Sequence, residues 1–197
     1  MMNKSIAFFD FDGTMSRGDS LFVFLKFLVG KSRFYWGMIS NLHSLLGYSL
    51  GLLSNTRAKQ KVVAYFLKGM SERELIQKCQ DFIPTLESII KQNALQRIHW
   101  HLDRGDKVAI VSATFSCYLK PLAQRLGVDC LATELEIKEG VLTGEFATPN
   151  CYGEEKVRRI CEKYNLEQYQ EIYAYGDSRG DKEMLEIATQ SFYRYFE

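Results

Sequence analysis

The sequence predicts an α/β fold: a parallel sheet with helices on both faces, plus an all-helical cap inserted between the first two core strands. Three observations carry that prediction. Short apolar runs (SIAFF, KVAIVSA and EIYAYG) have the length and composition of buried strands. Helical patterns separate them, and strands alternating with helices favour a parallel sheet. The interval from Ser20 to about Trp100 carries helical signals throughout and is too long for a simple crossover. The expected division is a discontinuous core of residues 1–17 and 98–197, with a cap of residues 18–97.

Taken in order, SIAFF reads as a strand that ends in an acidic cluster. The helical block that follows breaks near Gly30, near Ser54-Asn55, at Gly69-Met70-Ser71 and at Pro84, with Ser71 and Glu74 spaced as a capping box. KVAIVSA is entered through the turn Asp103-Arg104-Gly105-Asp106, and the next helix ends at Gly127. CLATELEIKEGVLTGEF reads as a strand plus a hairpin turning at Glu139-Gly140. From Lys156, the apolar residues Val157, Ile160, Cys161 and Tyr164 recur at helical spacing. EIYAYGD is the third buried strand, Asp181 a candidate N-cap, and SFYRYF a short final strand.

Composition narrows the function classes. The chain has 197 residues, 46% hydrophobic and 25% charged, the balance of a globular domain. A net charge of +1 gives no basic excess for nucleic acid. Cys79, Cys117, Cys130, Cys151 and Cys161 are scattered, odd in number and without a CxxC pair, which reads as free thiols in a reducing compartment. The start MMNKSIAFFD is too short for a signal-peptide core, so a cytoplasmic location is expected. The stretch FYWGMISNLHSLLGYSLGLL lies in an interval between Arg33 and Arg57 that carries no charge, and it is long enough to cross a bilayer. Its Ser40, Asn41, His43, Ser44, Tyr48 and Ser49 argue for a buried helical pair instead. Contact with a membrane surface or a lipidic substrate is the alternative.

Ligands of open parallel sheets bind beyond the carboxyl ends of the strands. The first strand delivers Asp10-Phe11-Asp12-Gly13-Thr14 there, the second Ser112-Ala113-Thr114, and the third Gly176-Asp177-Ser178-Arg179-Gly180-Asp181. Lys156 lies at a helix start. Four acids, a hydroxyl and an ammonium at one sheet edge suit a metal and a phosphate. A carboxylate approaching a phosphate ~3 Å away meets about 5 kcal/mol of repulsion per charge at an effective dielectric near 20. Magnesium bridging the two removes most of it, and Asp10 and Asp177 are suitable oxygen ligands. Lys156 and Ser112 can hold phosphoryl oxygens. Asp12 can protonate the leaving oxygen and later activate water, and Asp10 can act as covalent nucleophile.

Each motif alone has a plainer explanation. Asp12-Gly13 makes a good turn, Ser112 can end a strand, Lys156 can be a solvated helix residue and Asp181 can cap a helix. Four in order at the ends of core elements favour function. His99 and His101 do not share a helix face, His43 is expected to pack in the cap, and Trp36 and Trp100 are expected in the core.

The set resembles the haloacid dehalogenase superfamily, in the branch typified by phosphoserine phosphatase. DFDGT matches the nucleophile motif, VSAT the Ser/Thr motif, GEEK the lysine motif and GDSRGD the metal motif. The cap insertion point and KEGVLTGEF are similar too. The resemblance implies a Rossmann-like core and a Mg²⁺-dependent phosphatase. Asp10 would be the nucleophile and Asp12 the acid/base, with the Asp12 carbonyl and Asp177 on the metal. Asp181 would orient metal-bound water or Lys156, and Ser112, Ala113 and Lys156 would hold phosphate. Asp19 and Arg57 would contact the substrate headgroup, and the charge-free helices would close as a lid.

Ala113 replaces a usual Gly and Gly180 a frequent Asn, which argues against phosphoserine itself. The substrate expected is a small phosphomonoester, either phosphoserine-like or a phospholipid-headgroup phosphate. The alternatives are a phosphotransferase and a silent domain that binds a phospho-ligand or a membrane.

Overall fold

The SIAFF run folds as β1 (Ser5–Phe9), buried at every position. The computed structural model describes residues 5–42, 46 and 51–197. His43, Ser44, Tyr48 and Ser49 fall outside the described residues. β1 is the central strand of a five-stranded sheet ordered β3-β2-β1-β6-β7, with β2 (Lys107–Phe115), β3 (Asp129–Thr133), β6 (Glu171–Gly176) and β7 (Gln190–Tyr193). All four pairings are parallel.

Alternation along β1 divides the core. Ile6 and Phe8 face one cluster with Ala109, Val111, Ile160, Ala174 and Met184, while Ala7 and Phe9 face the other. Helices α7 (Glu154–Lys163) and α8 (Lys182–Glu186) cover the first face. On the second lie α5 (Gln92–Asp103) and α6 (Ser116–Leu126). Both faces are therefore covered, as the apolar strands require.

Between β1 and β2 the chain forms α1 (Ser20–Val29), α2 (Lys31–Ser40), α3 (Asn55–Leu67) and α4 (Glu72–Ser88). Asp19 caps α1 by accepting from the Leu21 and Phe22 amides, and Ser54 caps α3 through the Arg57 amide. The outgoing and returning chains lie side by side: Ser16 bridges Ile90 antiparallel, Arg17 N donates to Ile89 O, and Lys91 N donates to Met15 O. The expected core return at residue 98 falls inside α5, whose Ala94 and Ile98 share one buried cluster.

A hairpin, β4 (Leu135–Lys138) and β5 (Val141–Phe146), turns at Glu139-Gly140, both at positive φ. It is tied to the α3–α4 connection by Gly69 N to Leu142 O, Leu142 N to Met70 O and Glu72 N to Gly140 O.

Several expectations require correction. Pro84 lies inside α4 rather than ending a helix. It and Gln80 are on the exposed face, where the carbonyl left without an intrahelical donor meets water. Asp181 does stand at the N-cap position of α8, but its side chain makes no capping bond there. It is the third residue of a capping box with Ser178, its carboxylate accepting from the Ser178 amide and hydroxyl. Trp36 is 70% exposed, and Trp100 lies partly exposed against the guanidinium groups of Arg97 and Arg104. Among the described residues of the charge-free stretch, α2 is not fully buried: it buries Phe34 and Gly37 but leaves Tyr35, Trp36 and Ile39 outside. One face suffices, because Phe34 packs on Phe22 of α1 and Phe66 of α3, and a Cβ at Gly37 would collide with the Phe66 ring.

Phe82 of α4 joins the helical insert to the sheet layer. Its ring is fully buried, 5.1 Å from Phe24 of α1 and 5.5 Å from Tyr118 of α6. Phe82→Ala is expected to lower stability by about 3–5 kcal/mol. Urea unfolding followed by circular dichroism should show one transition shifted as a whole, because the contact belongs to both layers.

Candidate active site

β1 ends at Phe9, and Asp10 N still donates to Tyr175 O of the neighbouring β6 at 2.9 Å. That pairing places Asp10 beside the end of β6, where Asp177 follows. The turn Phe11–Met15 then folds back tightly, with Gly13 at φ 83°. A Cβ at Gly13 would come within 2.4 Å of the Asp177 carboxylate, so only glycine lets the turn lie against it. Thr14 Oγ1 donates to Asp177 Oδ1 at 3.0 Å, and Lys91 Nζ donates to the Gly13 carbonyl at 2.5 Å.

Lys156, in the first turn of α7, is buried between two carboxylates. Its Nζ lies 2.6 Å from Asp10 Oδ1 and 2.6 Å from Asp181 Oδ1. Burial alone would lower the ammonium pKa, but these two anions override it and hold it above the ordinary value. Asp181 is fixed from behind: its Oδ2 accepts from the amides of Asp177 and Ser178 and from the Ser178 hydroxyl. Burial works to raise the Asp181 pKa, yet Lys156 and these donors keep it below the ordinary value.

The other acids are less well compensated. Burial, with repulsion from Asp181 and Asp12, pushes the Asp10 carboxyl up to about 7 against the pull of Lys156. Burial and the nearby Asp19 push Asp12 up to about 6, opposed by a 2.7 Å hydrogen bond from Ser20 N to its Oδ1. Asp177 is also raised by burial. One oxygen each from Asp10, Asp177 and Asp181 lies within 4.8 Å of the others, a grouping able to hold a metal ion. Three carboxylates face one ammonium there, and all-oxygen donors with excess negative charge suit a hard divalent cation.

A cavity of 340 Å³ opens over this floor. Asp10, Asp12, Ser112, Ala113, Lys156 and Asp181 line its sheet side, and Asp19, Leu21, Phe22, Ala58, Lys59 and Val62 come from α1 and α3. Ser112 is buried, its Oγ accepting from Thr114 N. Asp19 does reach the cavity, while its Oδ1 is occupied as the cap of α1.

Arg57 does not line the cavity; it is exposed on α3. The cation of α3 that reaches it is Lys59, whose Nζ donates to the Ala113 carbonyl at 2.6 Å and lies 4.8 Å from the Phe115 ring centroid. Burial lowers the Lys59 pKa, with Asp12 and Asp19 opposing. Helical spacing holds the missed signal: Asn55, Ala58, Lys59 and Val62 fall on one face at i, i+3, i+4 and i+7, and Arg57 does not. Lys91 gives no such signal, because the Gly13 carbonyl it binds is distant in sequence.

Sheet, insertion point and acid cluster together define a hydrolase of a recognisable class. A family model for haloacid dehalogenase-like hydrolases matches residues 7–186, and the chain belongs to that family. It is 33% identical over 193 residues to protein CicA of Caulobacter vibrioides (strain NA1000 / CB15N), covering 95% of this chain and 85% of that one. It is 28% identical to phosphoserine phosphatase SerB1 of Mycobacterium tuberculosis, over 92% of this chain and 61% of SerB1. The crystal structure of a protein with unknown function from Bordetella pertussis Tohama I superposes with a TM-score of 0.84 at 27% identity, covering 97% of this chain and 90% of that one. Within the family the chain is placed with the phosphoserine-phosphatase-like branch.

The raised pKa values of Asp10 and Asp12 have a measurable consequence. The folded state raises the pKa of Asp10 and Asp12 from 3.8 to about 7 and about 6, so it binds their protons more tightly than the unfolded chain does. Their contribution to stability is full below about pH 4 and is lost as pH rises through 6 to 7. A divalent cation held by these carboxylates would offset that loss. Saturating Mg²⁺ is expected to raise Tm by several degrees at pH 8 and far less at pH 5. Scanning calorimetry with and without EDTA checks this, and Asp177→Asn should remove the difference.

Proposed function

We propose that this protein is a Mg²⁺-dependent phosphomonoester hydrolase that works through a phosphorylated Asp10. The observation that carries the reading is the position of Asp10: one carboxylate oxygen on buried Lys156, the group within reach of Asp177 and Asp181, at the floor of a cavity shared with Asp12.

Asp10, Asp177 and the Asp12 carbonyl would hold the metal. When bound, Mg²⁺ neutralises the anions that would otherwise repel an incoming phosphate. The chain's own groups do the rest. Lys156 and the Ser112 hydroxyl, with Ala113 beside it, hold the phosphoryl oxygens. The Asp10 carboxylate attacks phosphorus as the ester oxygen departs, and protonated Asp12 gives that oxygen its proton. Asp12, now ionised, takes a proton from the water that attacks the aspartyl phosphate, which releases inorganic phosphate and restores both acids. A pKa near 6 lets Asp12 serve in both directions around neutral pH. Asp181 keeps Lys156 aimed at Asp10 throughout.

Helices α1–α4 are read as a cap that excludes water from this chemistry. Leu21, Phe22, Ala58 and Val62 give the cavity an apolar flank, and Lys59 gives it one cation. That combination favours a small phosphomonoester with an apolar portion or an anionic group near Lys59. It does not supply the arginine expected for a phosphoserine carboxylate.

Phosphate release from a panel of amino-acid, sugar and lipid-headgroup phosphates tests the reading. Asp10→Asn is expected to lower kcat at least about 10³-fold, and Asp12→Asn about 10²- to 10⁴-fold with the pH profile lost. Turnover that survives Asp10→Asn unchanged would sink the mechanism. Lys59→Met is expected to raise KM more than it lowers kcat, and the same change at Arg57 should move neither.

A further inference from the structure

Charge is divided unevenly between the first three helices of the insert and the rest of the chain. Residues 20–71 contain seven of the 25 basic residues (Lys26, Lys31, Arg33, Arg57, Lys59, Lys61 and Lys68) and none of the 24 acidic ones. The remainder holds 18 basic against 24 acidic residues, so a near-neutral protein carries one strongly cationic portion. Outside that portion, eleven Lys and Arg side chains pair with carboxylates. Among the described residues, none of the seven does.

The same portion exposes large apolar side chains. On α2, Tyr35 is 56%, Trp36 70% and Ile39 60% exposed, and Tyr65 of α3 is 55% exposed. These belong together in space, because a Cβ at Gly37 of α2 would touch the Tyr65 ring. Lys31 and Arg33 stand at the start of α2, and Lys26 Nζ lies 5.0 Å from the Phe34 ring and 5.8 Å from that of Tyr35. An aromatic and aliphatic face bordered by unpaired cations has the composition of a segment that lies at a lipid–water interface. No helix among the described residues is long and apolar enough to cross a membrane.

We propose that the exposed face of α2, with Tyr65 of α3 and the cations Lys26, Lys31 and Arg33, docks the protein on the surface of an anionic phospholipid bilayer. Tyr35, Trp36 and Ile39 enter the headgroup boundary, and the cations meet lipid phosphates and carboxylates. Charge selects this occupant: an acid-free segment with unpaired ammonium and guanidinium groups is complementary to an anionic surface. A second copy of this chain would bring the same cations against themselves. Docking does not depend on turnover. It does orient the cavity, since α3 presents Tyr65 to this face while its Ala58, Lys59 and Val62 line the site.

Flotation with vesicles of phosphatidylcholine containing 30% phosphatidylserine tests the proposal, with pure phosphatidylcholine vesicles as comparison. The intact protein is expected to float with the anionic vesicles and to stay behind with the neutral ones. Raising NaCl to 0.5 M should weaken binding, because the Debye length shortens. Replacing Lys31 and Arg33 together by Gln should lower partitioning about thirtyfold. Trp36→Ser with Ile39→Ser should lower it as well, while phosphatase turnover on a soluble substrate stays unchanged, since these residues are outside the site. In a Trp100→Phe background, the emission of Trp36 should shift to the blue on adding anionic vesicles. Protein that stays behind with anionic vesicles, or binding indifferent to both double variants, overturns the proposal. So does a homodimer in light scattering that is lost with Trp36→Ser, which would assign the face to a second copy.

Discussion

The structure turns on one buried ammonium. Lys156 reaches from the first turn of α7 to carboxylates at the ends of two neighbouring strands, and it is the only cation touching either Asp10 or Asp181 among the described residues. Breaking a buried pair on one side typically costs about 3–5 kcal/mol, because the partner is left charged without compensation. The capping box around Ser178 and the Gly13 turn both serve that arrangement, by holding Asp181 toward Lys156 and letting the backbone pass close to Asp177. The strand order adds the rest: Asp10 and Asp177 converge because β1 and β6 are neighbours, although 166 positions separate their first residues in the chain.

That convergence explains what was legible in the sequence. The core strands are apolar runs with charged endings, and a parallel sheet brings such endings to one edge. The polar groups of the site could therefore be read before any coordinates. Asp10, Asp12, Ser112 and Lys156 all line the cavity, and Asp177 joins the acid cluster. The helical insert was legible as helix but not as surface. A stretch without charges suggested burial, whereas packing on α1 and α3 consumes only Phe34 and Gly37 of α2. Pro84 misled for a similar reason: proline ends helices when its missing hydrogen bond cannot be replaced, and on an exposed face water replaces it. Arg57 follows from the resemblance alone, whereas the helical period puts Lys59, with Asn55, Ala58 and Val62, on the face that lines the cavity.

The excess of buried acid also defines the chemistry available. Carboxyls raised toward neutral pH by burial can hold or release a proton in that range, which an ordinary surface carboxylate does not do. An apolar flank beside a charged floor gives two handles of opposite character within one cavity. In the proposed reaction, α1 and α3 would select the substrate and the sheet residues would break the bond, so that variation in the helical insert would change the former without disturbing the latter.

The insert is fastened at more than one place. Its outgoing and returning chains are zipped together at Ser16 and Ile90, and the β4–β5 hairpin grips the α3–α4 connection through three backbone hydrogen bonds. Gly144 presses so closely on Ala64 that a Cβ would come within 2.9 Å of its backbone. A door hinged on one edge can swing, but one pinned along two edges can only flex between them. An insert held along two edges in this way would yield at its free rim sooner than swing away as a whole.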